Sequence, residues 1–398
     1  MTQQIQKGWK RVKLSAVLDY EQPTEYIVYS EILEEETPVP VLTANKGFIK
    51  GYTKEKEGIC KNLPVIIFDD FTTDTKFVNF PFKVKSSAMK ILKLKDKDAL
   101  LKYIFYQMQT FNVRATTHKR YYLSEYQNLD FLFPIDLNQK ISLEKQSLIV
   151  SEIEKQFTRL DESVKSLQAV KQKLEVYRKA VLKKAFEKKK GWEERPMKNL
   201  VEDISSGYAC GRHEKSGEGL IHFRPYNITP EGNISYDEIK IVDPNYSNKR
   251  LEYGDIIFNN TNSQIWVGKT CAYTSQEKVG FSNHMTRIRT NNNLIDFKFL
   301  AKYLHYLFLR GFYYTIMKSH VNQSSVNIDR LQEISIPFPK SLQEQQQIVS
   351  SIEDKFSVID KLEQIVEASL NKAEKLRKSI LKGAFEGKLV KMGGNSNE

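Results

Sequence analysis

Apolar residues recur at spacings of three and four at Ile149, Ile153, Phe157, Leu160, Val164, Leu167 and Leu174, and again at Ile348, Ile352, Phe356, Ile359, Val366 and Leu370. That period lays a narrow apolar seam along one face of an α-helix. The two stretches are copies of one segment. Residues 142–187 (SLEKQSLIVSEIEKQF…YRKAVLKKAFE) overlie residues 341–386 (SLQEQQQIVSSIEDKF…LRKSILKGAFE) at a constant offset of 199, without a gap. Neither copy contains Pro, so each is predicted to run as one helix of roughly 45 residues, about 70 Å at 1.5 Å per residue. A lone helix with so thin a seam, interrupted by Lys171 in one copy and Glu363 in the other, is poorly stable in water and needs a partner. The nearest partner is the other copy, which predicts an intramolecular coiled coil. The alternative is two separate helices, each packed on its own domain.

The pattern between the helices is mixed. Residues 63–68 (LPVIIF) and 254–258 (GDIIF) read as buried strands ending in polar turns, while residues 98–111 and 297–310 carry helical spacing. The duplication extends through these parts. Gly8-Trp9 recurs as Gly191-Trp192, Ile66 to Asp70 as Ile256 to Asn260, Ser86 to Met89 as Ser282 to Met285, and Lys102-Tyr103 with Tyr106 as Lys302-Tyr303 with Tyr306. Pro134, and Pro337 with Pro339, break the chain just before each long helix. The predicted fold is therefore α+β: two α/β domains (1–141 and 191–340), each followed by a helical repeat (142–190 and 341–391), with a flexible tail at 392–398.

Composition narrows the class. A chain of 398 residues, 40% hydrophobic and 11% aromatic, fills two or three cores. No apolar run approaches 18 residues and the opening MTQQIQKGWK is polar, so the expectation is a cytoplasmic protein without a membrane segment. Cys60, Cys210 and Cys271 are odd in number and fit a reducing compartment. The net charge of +12 favours a polyanionic partner. The helical repeats carry +6 (142–190) and +1 (341–391) of it, leaving +5 elsewhere, so a DNA surface on the domains is a local patch. The basic run from Arg178 to Lys190 suits phosphate contact and a solvated helix face equally.

Four motif fragments fail on inspection. Val267-Gly268-Lys269-Thr270 lacks the Gly five residues before Gly268 that a phosphate loop requires, since position 263 is Ser. Asp243-Pro244-Asn245-Tyr246 has Asn where an adenine methyltransferase has its second Pro. Cys210 and His213 have no second pair at ligand spacing. Glu238-x-Lys240 lacks the upstream Pro-Asp of a metal-dependent nuclease. The expectation is a chain with no catalytic residues and no metal.

Two similar but diverged domains on like helices suit a ruler that reads two separated sites. The helix starts Gln343-Glu344-Gln345-Gln346-Gln347-Ile348 and Glu144-Lys145-Gln146-Ser147-Leu148-Ile149, the helix ends Arg-Lys-x-(Ile/Val)-Leu-Lys-x-Ala-Phe-Glu, the openings at Gly8 and Gly191, and the stretches LPVIIFDDFTTDTKFVNFPFKVKSSAMKIL and GDIIFNNTNSQIWVGKT together resemble the specificity subunit of type I restriction-modification systems. The resemblance covers nearly the whole chain. It implies two target-recognition domains separated by antiparallel helices, which also dock two methyltransferase subunits. It further implies that the complex methylates adenine in double-stranded DNA, and that restriction/translocase subunits cleave unmodified DNA. S-adenosylmethionine, ATP and Mg would then belong to the partner subunits, with no cofactor bound by this chain. The first helix start departs from the commoner Glu-Gln form at Glu144-Lys145-Gln146, which leaves the docking details open.

Base edges are read by Arg, Lys, Asn and Gln, and phosphates are held by Lys, Ser, Thr and backbone amides. Segments rich in these types and interleaved with aromatics nominate Asn45, Lys46, Lys50, Tyr52, Lys119, Arg120 and Tyr121 in the first domain. In the second they nominate Arg224, Tyr226, Asn227, Asn260, Asn262, Gln264, Lys318, His320, Asn322 and Gln323. Two other readings stay open at this stage: a single-chain methyltransferase or nuclease with its own recognition domains, and a coiled-coil adaptor that binds no DNA.

Overall fold

A computed structural model describes residues 7–30, 39–43, 47–95, 97–111, 113, 120–210, 219–245 and 247–390. The expectations at Asn45, Lys46, Lys119, His213, Tyr246 and the 392–398 tail lie outside these residues. The chain divides into two compact units, residues 1–167 with 368–398, and residues 168–367.

In the first unit the strands Leu18–Glu21, Met89–Leu94, Val65–Asp69 and Thr75–Val78 form, in that order, an antiparallel sheet. A second sheet places Val39–Leu42 between Ile49–Thr53, antiparallel, and Lys83–Val84, parallel. Trp9–Lys13 pairs with Asp130–Pro134 just ahead of the long helix. The second unit repeats this plan. Its four-stranded sheet runs Val201–Ser206, Met285–Thr290, Asp255–Asn259, Thr270–Ala272, its three-stranded sheet Ile241–Val242, Leu220–Phe223, Gly280–Phe281, and Glu193–Pro196 pairs with Ser335–Phe338.

The apolar runs expected at 63–68 and 254–258 are the strands Val65–Asp69 and Asp255–Asn259, buried at every position. Side chains alternate across a strand, so such a run needs cover on both faces. Ile66 and Phe68 enter the core beside the helix Leu101–Met108, while Val65 and Ile67 enter a second core with Leu42, Phe82 and Val84. Ile256 and Phe258, opposite Ile257, repeat the division in the second unit, against the helix Phe297–Leu309.

The long helices are Leu143–Ala185 and Leu342–Phe385. Within the first unit Asp161 pairs with Arg377, whose guanidinium lies 4.2 Å from the Phe157 ring centre. Within the second, Arg178 pairs with Asp360 at 2.6 Å and Glu363 at 2.9 Å, 4.7 Å from the Phe356 ring, and Lys171 reaches Glu367 at 3.2 Å. As one residue number rises its partner's falls, so the helices run antiparallel. The polar interruptions of the seam are thereby used: Glu363 receives Arg178, and Lys171 turns outward to Glu367.

The seam covers more than the opposite helix. Ile149, Ile153, Phe157 and Leu160 are buried in one core with Tyr103, Ile104 and Tyr106 of the short helix and with Ile380, Leu381 and Phe385 from the far end of the chain. Val164 packs at its edge, and Leu167 is half-buried. Ile352, Phe356 and Ile359, with Ile348 at the edge, join Phe299, Tyr303 and Leu304 and the end of the central helix, Leu174, Val181, Leu182 and Phe186. Val366 is buried and Leu370 half-buried. Each domain therefore receives the start of its own helix and the end of the other copy. Phe385 meets Tyr103 edge-on at 5.2 Å, and Phe186 meets Phe299, Tyr303 and Tyr306 at 5.3–5.7 Å. Truncating a buried Phe to Ala costs about 3–5 kcal/mol. Phe385→Ala should accordingly speed hydrogen exchange in Leu101–Met108 and leave Phe297–Leu309 unaffected, an outcome read by mass spectrometry of the two peptides.

One buried glutamine joins each helix to its domain. Gln146 Oε1 accepts from the Leu100 amide at 2.9 Å, and its Nε2 donates to the carbonyls of Asp98 and Ser142. Gln345 Oε1 accepts from the Asp296 amide at 2.7 Å, and its Nε2 donates to the carbonyls of Leu294 and Pro339. Both side chains are fully buried.

Candidate nucleic-acid interface

In the second unit Thr261–Asn262, Ser324–Ser325 and Lys318–Ser319 form a small sheet in that order. Lys318 to Ser325 is a hairpin closed by the His320 amide donating to the Gln323 carbonyl at 2.8 Å. The sequence dictates an exposed element here, because KSHVNQSS offers one apolar residue to bury and that residue, Val321, is 99% exposed. Lys318, His320, Asn322 and Gln323 are all exposed on the hairpin. Asn262 is half-buried on the neighbouring strand, where its carboxamide accepts from the Ser263 amide, and the exposed turn Gln264–Trp266 follows directly. The structure thus gathers Asn262, Gln264, Lys318, His320, Asn322 and Gln323 on adjoining segments. No acidic residue occurs from 259 to 272 or from 314 to 328, so nothing within these segments opposes a polyanion.

Two nominated asparagines stand behind this surface. Asn260 is buried, donating to the Asn283 carbonyl and the Thr286 hydroxyl, while its own carbonyl accepts from the Val326 amide at the hairpin's exit. Asn227 is buried too, bonded to the Arg224 amide and to the carbonyls of Ser235 and Glu238. Both therefore spend their polar groups on holding turns. Arg224 is half-buried and donates to the Cys210 carbonyl at 2.7 Å, and Tyr226 is exposed beside it; these lie at the end of the Leu220–Phe223 strand.

In the first unit Lys50 is exposed and Tyr52 half-buried on Ile49–Thr53. Arg120 is exposed immediately before Tyr121, which is buried. Asp70, the duplicate of Asn260, performs the same anchoring: its carbonyl accepts from the Tyr121 amide and its carboxylate from the Tyr122 amide at 2.9 Å. Lys90 lies buried 3.6 Å from that carboxylate. In each unit, then, the residue after the buried central strand ties down the candidate reading segment. Sequence reasoning passed over Ile265, Trp266 and Val321, exposed apolar groups at the same surface. Their signal was a Trp and two β-branched residues isolated in otherwise polar, acid-free runs. Among the described residues no group of three metal-ligating side chains forms, and no helix is long and apolar enough to cross a membrane.

Residues 189–372, which include this surface, match the family described as Type I restriction modification DNA specificity domain. The chain is 44% identical over 152 residues to the type I restriction enzyme EcoR124I/EcoR124II specificity subunit of Escherichia coli, 37% of either chain. It is 32% identical over 213 residues to the putative type I restriction enzyme MjaX specificity subunit of Methanocaldococcus jannaschii, 50% of this chain and 48% of that one. The chain thus spans well under two thirds of these relatives. Its fold matches a chain from a structure of type I R-M system assembly and conformational transition, with a TM-score of 0.71 at 18% identity over 97% of this chain and 99% of that one. It also matches the HsdS subunit of Thermoanaerobacter tengcongensis, with a TM-score of 0.52 at 18% identity over the same shares. Residues 189–372 are thus similar to a type I DNA specificity domain, and the chain is similar over part of its length to specificity subunits.

Proposed function

We propose that this chain is the DNA-recognition subunit of a type I restriction-modification enzyme, a non-catalytic component whose two domains each read one half of a bipartite, asymmetric target in double-stranded DNA. The observation that carries this reading is the acid-free hairpin from Lys318 to Ser325 within the matched domain, exposed and bearing groups that recognise bases and phosphates. A two-stranded ribbon fits the major groove. In this reading the long helices space the domains and dock two methyltransferase subunits, and restriction/translocase subunits join them. S-adenosylmethionine, ATP and Mg serve those partners.

The test is methylation by the chain with its methyltransferase, mapped on DNA. Asn322→Ala and Gln323→Ala should relax individual positions of one half-site, at about 1–3 kcal/mol for each lost base contact, and leave the other half-site untouched. Lys318→Ala should weaken binding to all sequences alike and flatten its salt dependence by about one phosphate contact. Variants that left the methylated motif and the affinity unchanged would remove the hairpin from the interface.

A further inference from the structure

The duplication pairs residue 102 with 302 and residue 154 with 353, and the two pairs behave differently. In the first unit Lys102 and Glu154 form an ion pair. In the second, Glu353 is taken by Lys298 at 3.3 Å, and Lys302 makes no hydrogen bond or ion pair among the described residues. Lys302 lies 5.4 Å from the Phe356 ring centre and lines a cavity of about 340 Å³. Two substitutions between the copies accompany this. Lys298 stands where the first unit has Asp98, His305 where it has Phe105, and the carboxylate is the same. The trio Asp98, Lys102 and Glu154 sums to one negative charge, and Lys298, Lys302 and Glu353 sum to one positive charge.

We infer that this cavity is an anion site that takes a phosphate-class oxyanion. A lysine ammonium withdrawn from water costs free energy unless an opposite charge meets it. Burial lowers the Lys302 pKa; Glu353, the strongest of the neighbouring charges, opposes that shift without forming an ion pair, and Arg178 and Lys298 add to it. Buried polar groups, Thr270 and His305, line its inner side. The Thr270 amide donates to His305 Nδ1, and burial holds that imidazole neutral, with its pKa pushed down to about 3. Gly232, at φ +80°, lies so close to the ring that a Cβ there would come within 2.8 Å of it. At its edge Lys298 is half-buried and pairs with exposed Glu353, and Thr274 is exposed. Asn233 and Thr274 add neutral donors beside the two ammonium groups. The cavity exceeds what one phosphate needs, which leaves room for a small phosphoester or for a DNA backbone phosphate entering from outside.

Titration of the full-length chain with inorganic phosphate, read by calorimetry and by thermal midpoint, tests the assignment, with the salt dependence of DNA affinity as a second arm. Saturable binding is expected. It should fall at least tenfold in Lys302→Met, persist in Lys302→Arg, and persist in Lys102→Met, the duplicate position. Without phosphate, Lys302→Met should melt no lower than the unaltered chain, because an uncompensated charge has been removed. Thr274→Val, on the exposed rim, should weaken binding without touching the core. Absent phosphate binding together with a salt slope reduced by about one in Lys302→Met would assign the anion to DNA. Phosphate binding and salt slope both unchanged in Lys302→Met, or lost equally in Lys102→Met, would overturn the site.

Discussion

A fragment ending at Lys190 should form a two-fold dimer that, with methyltransferase, modifies a palindrome built from the first half-site. The expectation rests on the cross-helix pairs. At the offset of 199, Asp360 is the duplicate of Asp161, and Arg377 is the duplicate of Arg178. The pairs Asp161–Arg377 and Arg178–Asp360 are therefore one contact made twice. Two fragments can rebuild it, Asp161 of one meeting Arg178 of the other over Phe157. Phe186 of the second copy can likewise stand on Tyr103, where Phe385 stands in the whole chain. What the dimer lacks is smaller. The duplicate of Glu363 is Val164, so each Arg178 keeps one carboxylate instead of two, and the duplicate of Glu367 is Gln168, so Lys171 loses its exposed partner, at about 0.2–1 kcal/mol. The run from Arg178 to Lys190 adds repulsion that salt screens. Sedimentation should give twice the fragment mass, more completely at higher salt. A two-fold dimer presents identical reading surfaces and so selects an inverted repeat. A monomer at every concentration and salt, or methylation confined to the parent asymmetric motif, would refute the pairing.

One added helical turn in both long helices should lengthen the gap between half-sites by one or two base pairs. The opposed positions are after Leu167 and after Leu370, between the Asp161–Arg377 and Lys171–Glu367 pairs, so that every cross-helix contact keeps its partner. Four residues add about 6 Å of helix. B-DNA rises about 3.4 Å per base pair. With half-sites centred about one turn of DNA apart, on the order of 10 bp, the native gap is roughly 5–8 bp. Mapping methylated adenines in cells that carry the lengthened chain gives the answer. A gap that stays at its native length would show that the helices do not set it.

Much of the fold was legible because its signals are one-dimensional. The runs at 63–68 and 254–258 announced strands covered on both faces, and the strands sit there with every residue buried. The apolar seam announced long helices, and they occur. Periodicity says which face of a helix is apolar and is silent on what covers it. Ile149 to Leu160 accordingly served a core shared with Tyr103 and Phe385, beyond the partner helix alone. At the interface the limit was different. Asparagine in a polar turn looks the same whether it caps that turn, as Asn227 and Asn260 do, or reaches outward, as Asn322 does. Nor do strands two residues long, such as Ser324–Ser325, leave a pattern to detect.

The side chains of the glutamines at 146 and 345 hydrogen-bond to main-chain groups. A joint that asks for backbone carbonyls and one amide places no demand on the identity of the side chains around it. Lineages can then trade one reading module for an unrelated one by recombination, and the newcomer seats on the same socket if its backbone follows the same path. Molecular innovation in target choice is thereby uncoupled from the upkeep of the scaffold. The same reasoning marks Gln146 and Gln345 as positions where drift should be slowest while the reading surfaces turn over.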